Sequence, residues 1–106
     1  MSRQGYYKTM ENKEGNVKFK LFGILRLNYR PSEGEVPVKG SITLTQLLKE
    51  LADRYPGIQE KLLEDEKLRP GVVLLVNGKN VLHLEELATQ IKPGDTVVIF
   101  PPGAGG

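Results

Sequence analysis

Residues 43–57 read TLTQLLKELADRYPG and form the clearest helical pattern in this chain of 106 residues. Thr43 and Gln46 have the spacing of a capping box, in which each side chain binds the backbone N–H of the other residue at a helix start. Apolar residues then recur at helical intervals, namely Leu44, Leu47, Leu48, Leu51 and Tyr55. Pro56 and Gly57 end the pattern. The sequence therefore predicts one amphipathic helix with a single apolar stripe.

The segment before this helix alternates apolar and charged residues, which is typical of β-strands. The first strand is predicted to begin at Val17 and to direct three side chains toward the core: Val17, Phe19 and Leu21. Residues 23–30 are predicted to finish this strand and turn. A second strand covers residues 35–39 and contains Pro37. Because proline has no backbone N–H, this second strand is expected at an edge of the sheet.

Three more strands are predicted after the helix. Residues 72–76 are continuously apolar, and Asn77-Gly78 is a strong hairpin signal that leads to a return strand over residues 79–82. Residues 92–95 form a turn before the last strand, residues 96–100. The first and last strands are strongly apolar, so both are expected at the centre of the sheet.

Five strands with one long helix predict an α+β fold, with one layer of helix on one layer of sheet. This is the β-grasp, or ubiquitin-like, architecture: a five-stranded mixed sheet with one main helix packed on one face. Residues 17–101 are assigned to this domain. The polar residues 1–16 are expected to form a flexible N-terminal extension, and residues 102–106 a flexible C-terminal tail.

Composition argues against several classes of function. The net charge is only +2, from 15 Lys+Arg and 13 Asp+Glu that are interleaved along the chain, so nucleic-acid binding is not expected. The chain has no cysteine and a single histidine, His83, which argues against metal sites, cysteine nucleophiles and Ser-His dyads. The apolar runs are too short to cross a membrane and no secretory leader is apparent. We therefore expect a cytoplasmic location.

The most unusual segment is the end of the sequence, where residues 100–106 read FPPGAGG. Two prolines stiffen the exit from the last strand, and glycines without a Cβ can enter a narrow channel. The Gly106 carboxylate at the tip is a poor electrophile, because it is ionised near neutral pH. Its use as an acyl donor would require activation by a partner, for example as an adenylate. A frayed end without a function is the alternative.

A partner-binding surface is also predicted beside this tail. Phe22 lies on the face of the first strand opposite its core residues, and Val98 and Phe100 occupy the same face of the last strand. If the two strands are neighbours, these residues form an apolar patch of the kind that marks interfaces. Covering of the patch by the extension or by a loop is the alternative. The expected partner-binding set also includes Pro101, Pro102, Gly103 and Ala104.

These motifs together resemble the MoaD family, the small subunit of molybdopterin synthase, across residues 17–106. The resemblance is carried by these segments: VNGK at 76–79, KPGD at 92–95, VIFPPGAGG at 98–106, KFKLFG at 18–23, LLKEL at 47–51 and RYP at 54–56. The Phe-Pro-Pro-x-x-Gly-Gly ending is the specific element. Residues 1–16 depart from the family, whose members commonly begin at the first strand.

The resemblance implies a sulfur carrier that supplies no acid or base of its own. A ubiquitin-activating-like adenylyltransferase would adenylate the Gly106 carboxylate with ATP, and a persulfide donor would replace AMP with sulfur to give a thiocarboxylate. The tail would then enter the large subunit of molybdopterin synthase, with Gly105 allowing its passage, and donate sulfur to a pterin precursor. The chain would be the non-catalytic small subunit of a transferase complex. It would bind no permanent cofactor or metal, since its partner uses the ATP.

Three other functions remain open from the sequence. A ubiquitin-like protein modifier would use the same Gly106 carboxylate to form isopeptide bonds with target lysines. A plain β-grasp binding module would use no covalent chemistry and would tolerate loss of the tail. A related carrier that serves thiazole synthesis is a further possibility, although the Phe-Pro-Pro junction resembles the molybdopterin branch more closely.

Overall fold

The structure is a computed structural model that describes residues 13–102. Along the chain the helices and strands are β1 (Glu14–Leu21), α1 (Ile24–Asn28), β2 (Glu33–Lys39), β3 (Ile42–Thr43), α2 (Leu44–Arg54), α3 (Ile58–Leu62), β4 (Leu63–Glu64), β5 (Lys67–Leu68), β6 (Val73–Val76), β7 (Lys79–Asn80), β8 (Gln90–Ile91) and β9 (Thr96–Phe100). Two 3₁₀ turns, Val81–His83 and Glu86–Ala88, lie between β7 and β8.

Five of these strands form the main sheet, in the order β2-β1-β9-β6-β7. β1 and β9 run parallel and the other neighbours run antiparallel, so the sheet is mixed as predicted. β9 lies at the centre beside β1, which confirms the central positions predicted for the first and last strands. β2, which contains Pro37, is an edge strand as expected. Two small sheets, β3–β8 and β4–β5, were not predicted because two-residue strands show no periodicity.

The main helix α2 begins after Thr43 with the predicted capping box. The Thr43 hydroxyl oxygen accepts a hydrogen bond from the Gln46 backbone N–H at 3.1 Å, and the Gln46 side-chain oxygen accepts one from the Thr43 N–H at 2.8 Å. Every residue of the predicted stripe is buried: Leu44, Leu47, Leu48, Leu51 and Tyr55. Burying each leucine contributes about 1.5–3 kcal/mol, so this stripe is what holds the helix on the sheet.

The core lies between α2 and one face of the sheet. The inward-facing residues of the central strands are all buried: Val17, Phe19 and Leu21 on β1, Val97 and Ile99 on β9, and Leu74 and Val76 on β6. The alternate residues of the same strands face away from the helix. This single-sided core, with one main helix on a five-stranded mixed sheet, confirms the predicted β-grasp fold.

The prediction that residues 23–30 finish the first strand was wrong. The strand stops at Leu21, Gly23 takes a positive φ of 63°, and the helix α1 follows. Leu25 is completely buried, and the Tyr29 ring packs 5.4 Å from the Tyr55 ring. In a helix Leu25 and Tyr29 lie on one side while Leu27 faces away and is exposed. An extended chain would direct all three side chains to the same side.

Two strand boundaries also differ from the predictions. β1 begins at Glu14, so residues 14–16 pair with β2 and belong to the sheet, although they were assigned to the extension. The return strand ends at Asn80, because the Asn80 side chain accepts a hydrogen bond from the Leu82 N–H at 2.9 Å and starts a 3₁₀ turn. The rest of the predicted extension, residues 1–12, lies outside the described residues.

Candidate functional site

The structure brings the three residues of the predicted apolar patch together. Val98 on β9 aligns with Lys20 on β1, and the Phe22 backbone N–H donates to the carbonyl oxygen of Ile99 at 3.0 Å. The rings of Phe22 and Phe100 stack with centroids 4.9 Å apart and planes inclined by 17°. All three patch residues are half-buried rather than covered. The parallel pairing of β1 with β9 is therefore what assembles this surface.

Strand β6 adds two residues that the sequence prediction missed. Val73 lies opposite Phe100 and Leu75 lies opposite Val98 in the antiparallel register. Both are half-buried, whereas their neighbours along β6 point into the core. A continuous apolar run shows that a strand is buried but does not show which residues face which side. Together, five residues form the open-face patch: Phe22, Val73, Leu75, Val98 and Phe100.

A strip of charged residues borders the open-face patch on its β1 side. Lys20 is aligned with Val98 of the patch and, on the other side, with Glu33 of β2. Lys18 lies opposite Glu35 in the same way. An apolar, partly aromatic centre with a charged rim is the usual anatomy of a protein–protein interface. The open face therefore has the composition of a docking surface.

The root of the tail is anchored in the fold by Pro101. Pro101 is buried, so its side chain does not belong to the exposed partner-binding surface that the sequence predicted. A Cβ placed on Gly23 would meet the Pro101 ring atoms Cγ and Cδ at 3.1 Å, which shows how closely the two residues pack. Pro102 is half-buried and is the last described residue. The predicted site residues Gly103, Ala104, Gly105 and Gly106 lie outside the described residues.

A hydrogen-bonded network holds the strands of the open-face patch in register. The Asn77 side chain donates to a carboxylate oxygen of Asp95 at 2.9 Å and accepts from the Thr96 N–H at 2.9 Å. The second Asp95 oxygen accepts from the Lys92 N–H at 2.9 Å. Asp95 is buried, and Asn77 takes a φ of 51° in the turn after β6. These residues of the VNGK and KPGD motifs therefore join β6 to β9 and position the patch without contributing to it.

The described residues hold no cluster of side chains that could bind a metal ion. Within residues 13–102, no group of three His, Asp or Glu side chains is placed to hold a metal ion. His83 is exposed at the end of a 3₁₀ turn. In the same part of the chain, no helix is both long enough and apolar enough to cross a membrane. The described residues therefore favour docking of a partner on the open face, close to Pro101 and Pro102 at the start of the tail.

Comparison with known proteins identifies a family and several relatives of this chain. The model of the ThiS family matches residues 19–106, a range that includes all five residues of the open-face patch and the tail. Small archaeal modifier protein 3 of Haloferax volcanii is 41% identical over 69 residues, which cover 65% of this chain and 75% of that protein. Sulfur carrier protein CysO of Mycobacterium tuberculosis is 39% identical over 67 residues, which cover 60% of this chain and 72% of that protein.

A solved structure extends the similarity over nearly the whole fold. It is that of a candidate molybdopterin converting factor, subunit 1, from Pyrococcus furiosus, which is 27% identical to this chain with a TM-score of 0.63. The superposition covers 83% of this chain and 98% of the Pyrococcus furiosus chain. The described domain therefore corresponds to almost all of that protein.

Proposed function

Because the chain belongs to the ThiS family of ubiquitin-like sulfur carriers, we propose that it carries sulfur as a thiocarboxylate on Gly106 for the synthesis of molybdopterin. In this proposal it is the small, non-catalytic subunit of molybdopterin synthase. The observation that carries the proposal is the open-face patch, which ends at Phe100, immediately before the anchored root of the FPPGAGG tail. A partner that docks on this surface would hold the tail of small residues at its active site, where the tip of the tail reacts.

The activation step belongs to a ubiquitin-activating-like adenylyltransferase. A carboxylate oxygen of Gly106 attacks the α-phosphate of ATP, pyrophosphate leaves, and the acyl carbon becomes electrophilic. The terminal sulfur of a persulfide donor then attacks this carbon and AMP leaves, which gives an acyl disulfide. A second thiol on the donor cleaves the S–S bond, so the donor is oxidised to a disulfide and Gly106 is left as a thiocarboxylate.

The residues of this chain bind and position, and they do not transfer protons. Packing of Pro101 against Gly23 fixes the point at which the tail leaves the domain. Gly103, Gly105 and Gly106 lack a Cβ, which lets the extended tail pass a narrow channel and brings its last carbonyl to the reacting atoms. Correct placement matters because a shift of about 1 Å at a reacting centre can cost on the order of 100-fold in rate.

The partners required by this proposal are the adenylyltransferase, the persulfide donor and the large subunit of molybdopterin synthase. The thiocarboxylate on Gly106 enters the large subunit and gives its sulfur to a pterin precursor there. ATP is consumed by the activating enzyme, so the carrier itself needs no bound cofactor. We place these reactions in the cytoplasm, where ATP and reduced sulfur donors are both available.

A second function, protein modification, is favoured by the 41% identity to small archaeal modifier protein 3. In that case a target lysine, rather than a sulfur donor, attacks the adenylated or thioester-linked Gly106 carbonyl, and an isopeptide bond forms. The open-face patch and the tail would serve both functions in the same way. Conjugates in cell extracts that disappear when Gly106 is deleted would support this second function.

Intact-mass measurement tests the proposal. The chain is incubated with ATP, a persulfide donor and the adenylyltransferase of its source organism, and the chain without Gly106 serves as the control. The proposal predicts a mass gain equal to replacement of one oxygen by sulfur in the full chain alone. The thiocarboxylate form should then convert a pterin precursor to molybdopterin when the large subunit is added. Absence of the mass gain contradicts the carrier function, and a gain without conversion of the pterin contradicts the molybdopterin assignment.

A further inference from the structure

The helix α1 exposes two large apolar side chains although its other side is buried in the core. Leu27 is 67% exposed and Ile24 is 51% exposed, while Leu25 between them is completely buried. Residues three positions apart lie on the same side of a helix, so Ile24 and Leu27 form one exposed apolar strip. Exposure of such residues brings no stability to the fold, which suggests that the strip is used for binding.

The strip is held rigidly, because the segment after α1 is tied to the end of α2. The Tyr29 hydroxyl donates to the carbonyl oxygen of Pro56 at 3.2 Å, and the Tyr55 hydroxyl donates to the carbonyl oxygen of Pro31. Burial raises the pKa of both tyrosines, so both hydroxyls remain protonated donors at neutral pH. The exposed side of α1 is therefore a preformed surface and not the result of fraying.

The charged residues within the segment that carries this strip are all positive. Residues 22–32 contain Arg26 and Arg30 and no Asp or Glu. These two arginines line a groove together with Leu27, Pro31 and Ser32. Neither makes an ion pair within residues 13–102, where the only salt bridge joins Arg69 to Glu64. A guanidinium group presents a fork of N–H donors that fits a carboxylate with two parallel hydrogen bonds.

The position of α1 connects it to the tail. Gly23 separates Ile24 from Phe22 of the open-face patch, and Pro101 at the root of the tail packs on Gly23. A partner that covers the open-face patch and grips the tail therefore reaches α1 as well. The strip and the groove extend that docking surface around the point where the tail leaves the domain.

We propose that α1 is a second docking element for the adenylyltransferase that activates the tail, and that it binds a segment of that enzyme in which carboxylates flank an apolar side chain. Arg26 and Arg30 pair with the carboxylates, and Ile24 and Leu27 pack against the apolar residue. This inference rests on the proposed function, since it names the enzyme that adenylates Gly106. It assigns a role to residues that lie outside the open-face patch.

Steady-state kinetics of ATP-dependent adenylation tests this inference with a charge-reversed pair. The variant Arg26→Glu/Arg30→Glu should raise the KM for the carrier by about tenfold while kcat stays unchanged, because these charges act on encounter and docking and not on the reacting atoms. The matched control is Lys49→Glu/Lys61→Glu, which makes the same change of charge at exposed positions on α2 and α3 and should leave the KM unchanged. The KM of the wild-type chain should also rise with salt, and that of Arg26→Gln/Arg30→Gln should rise less.

A photo-crosslinking residue in place of Leu27 identifies what occupies the strip. Crosslinking to a segment of the adenylyltransferase that contains Asp or Glu supports the inference. Crosslinking only to a second copy of the chain or to residues 1–12 overturns it. If the wild-type chain is adenylated and Arg26→Glu/Arg30→Glu has the wild-type KM, the docking assignment alone fails. If the wild-type chain is not adenylated at all, the proposed function fails and this assignment fails with it.

Discussion

The two faces of the main sheet are similarly apolar along β6 and β9, but only one of them is covered. On the core face, Leu74 and Ile99 are completely buried beneath α2. On the open face, Val73, Leu75 and Val98 alternate with them along the same strands and remain half-buried. The core face accounts for the stability of the fold. The apolar residues of the open face are not needed for the core, so their exposed surface remains available for a partner to bury.

The largest difference between the two faces is expected in stability, when the same substitution is made at two adjacent positions of β9. Ile99→Asp places an unpaired carboxylate in the core, which costs several kcal/mol and is comparable with a total stability of about 5–15 kcal/mol. Val98→Asp places the same group on the open face, where it stays hydrated. Thermal unfolding should show loss of the cooperative transition for Ile99→Asp and a near-normal transition for Val98→Asp. An equal loss of stability in the two variants would show that the open face contributes to the fold as much as the core face does.

The next effect concerns binding by the aromatic pair of the open-face patch. Phe22→Asp or Phe100→Asp should weaken binding to the adenylyltransferase by at least about tenfold, because each removes an aromatic anchor from the open-face patch. Titration calorimetry measures the binding and thermal unfolding measures the fold. Normal binding by both folded variants would contradict the assignment of this face, and loss of cooperative unfolding would show that the rings belong to the core.

A smaller effect is expected at the junction between the patch and the tail. Gly23→Ala adds a Cβ that meets Pro101 at 3.1 Å and places alanine at a φ of 63°. This strain should lower stability by about 1–3 kcal/mol. It should also lower the rate of adenylation by displacing the root of the tail. Gly78→Ala is the matched control, because Gly78 also has a positive φ but no atom lies within 4 Å of its added Cβ. Equal adenylation rates for the two variants would show that Gly23 does not position the tail.

The smallest effect is expected from removal of residues 1–12. These residues lie outside the described fold, and the sequence predicts no core or chemistry for them, so sulfur transfer and the melting temperature should not change. A chain that begins at Val17 should be less stable than one that begins at Lys13, because residues 14–16 pair with β2. A chain from Lys13 that folds normally yet fails to accept sulfur would overturn this prediction.

Much of the fold could be predicted from the sequence because its main elements are long and strongly periodic. The capping box and stripe of α2 and the alternation in β1 each fix an element and the face that it buries. The apolar character of β1 and β9 also predicted their central positions. Phe22, Val98 and Phe100 were expected to meet if the two strands were neighbours, and the strands are neighbours. These inferences rest on local patterns, and the structure confirms them.

The parts that could not be predicted depend on contacts distant in sequence. α1 has only five residues, and its helix depends on Leu25 and Tyr29 packing against a core that the local sequence does not reveal. Val73 and Leu75 were missed because the run over residues 72–76 is apolar on both faces. The burial of Pro101 was also missed, because Pro101 packs against Gly23, which lies 78 positions earlier in the sequence.

The most direct test of the carrier function compares the intact masses of the full chain and the chain without Gly106 after incubation with ATP, a persulfide donor and the adenylyltransferase. Deletion moves the last carbonyl by about 3.3–3.6 Å along an extended tail, away from the reacting atoms. The full chain should gain the mass of a thiocarboxylate, and the shortened chain should gain none while melting at the same temperature. Sulfur uptake by the shortened chain at the normal rate would contradict the account and favour a binding module without covalent chemistry.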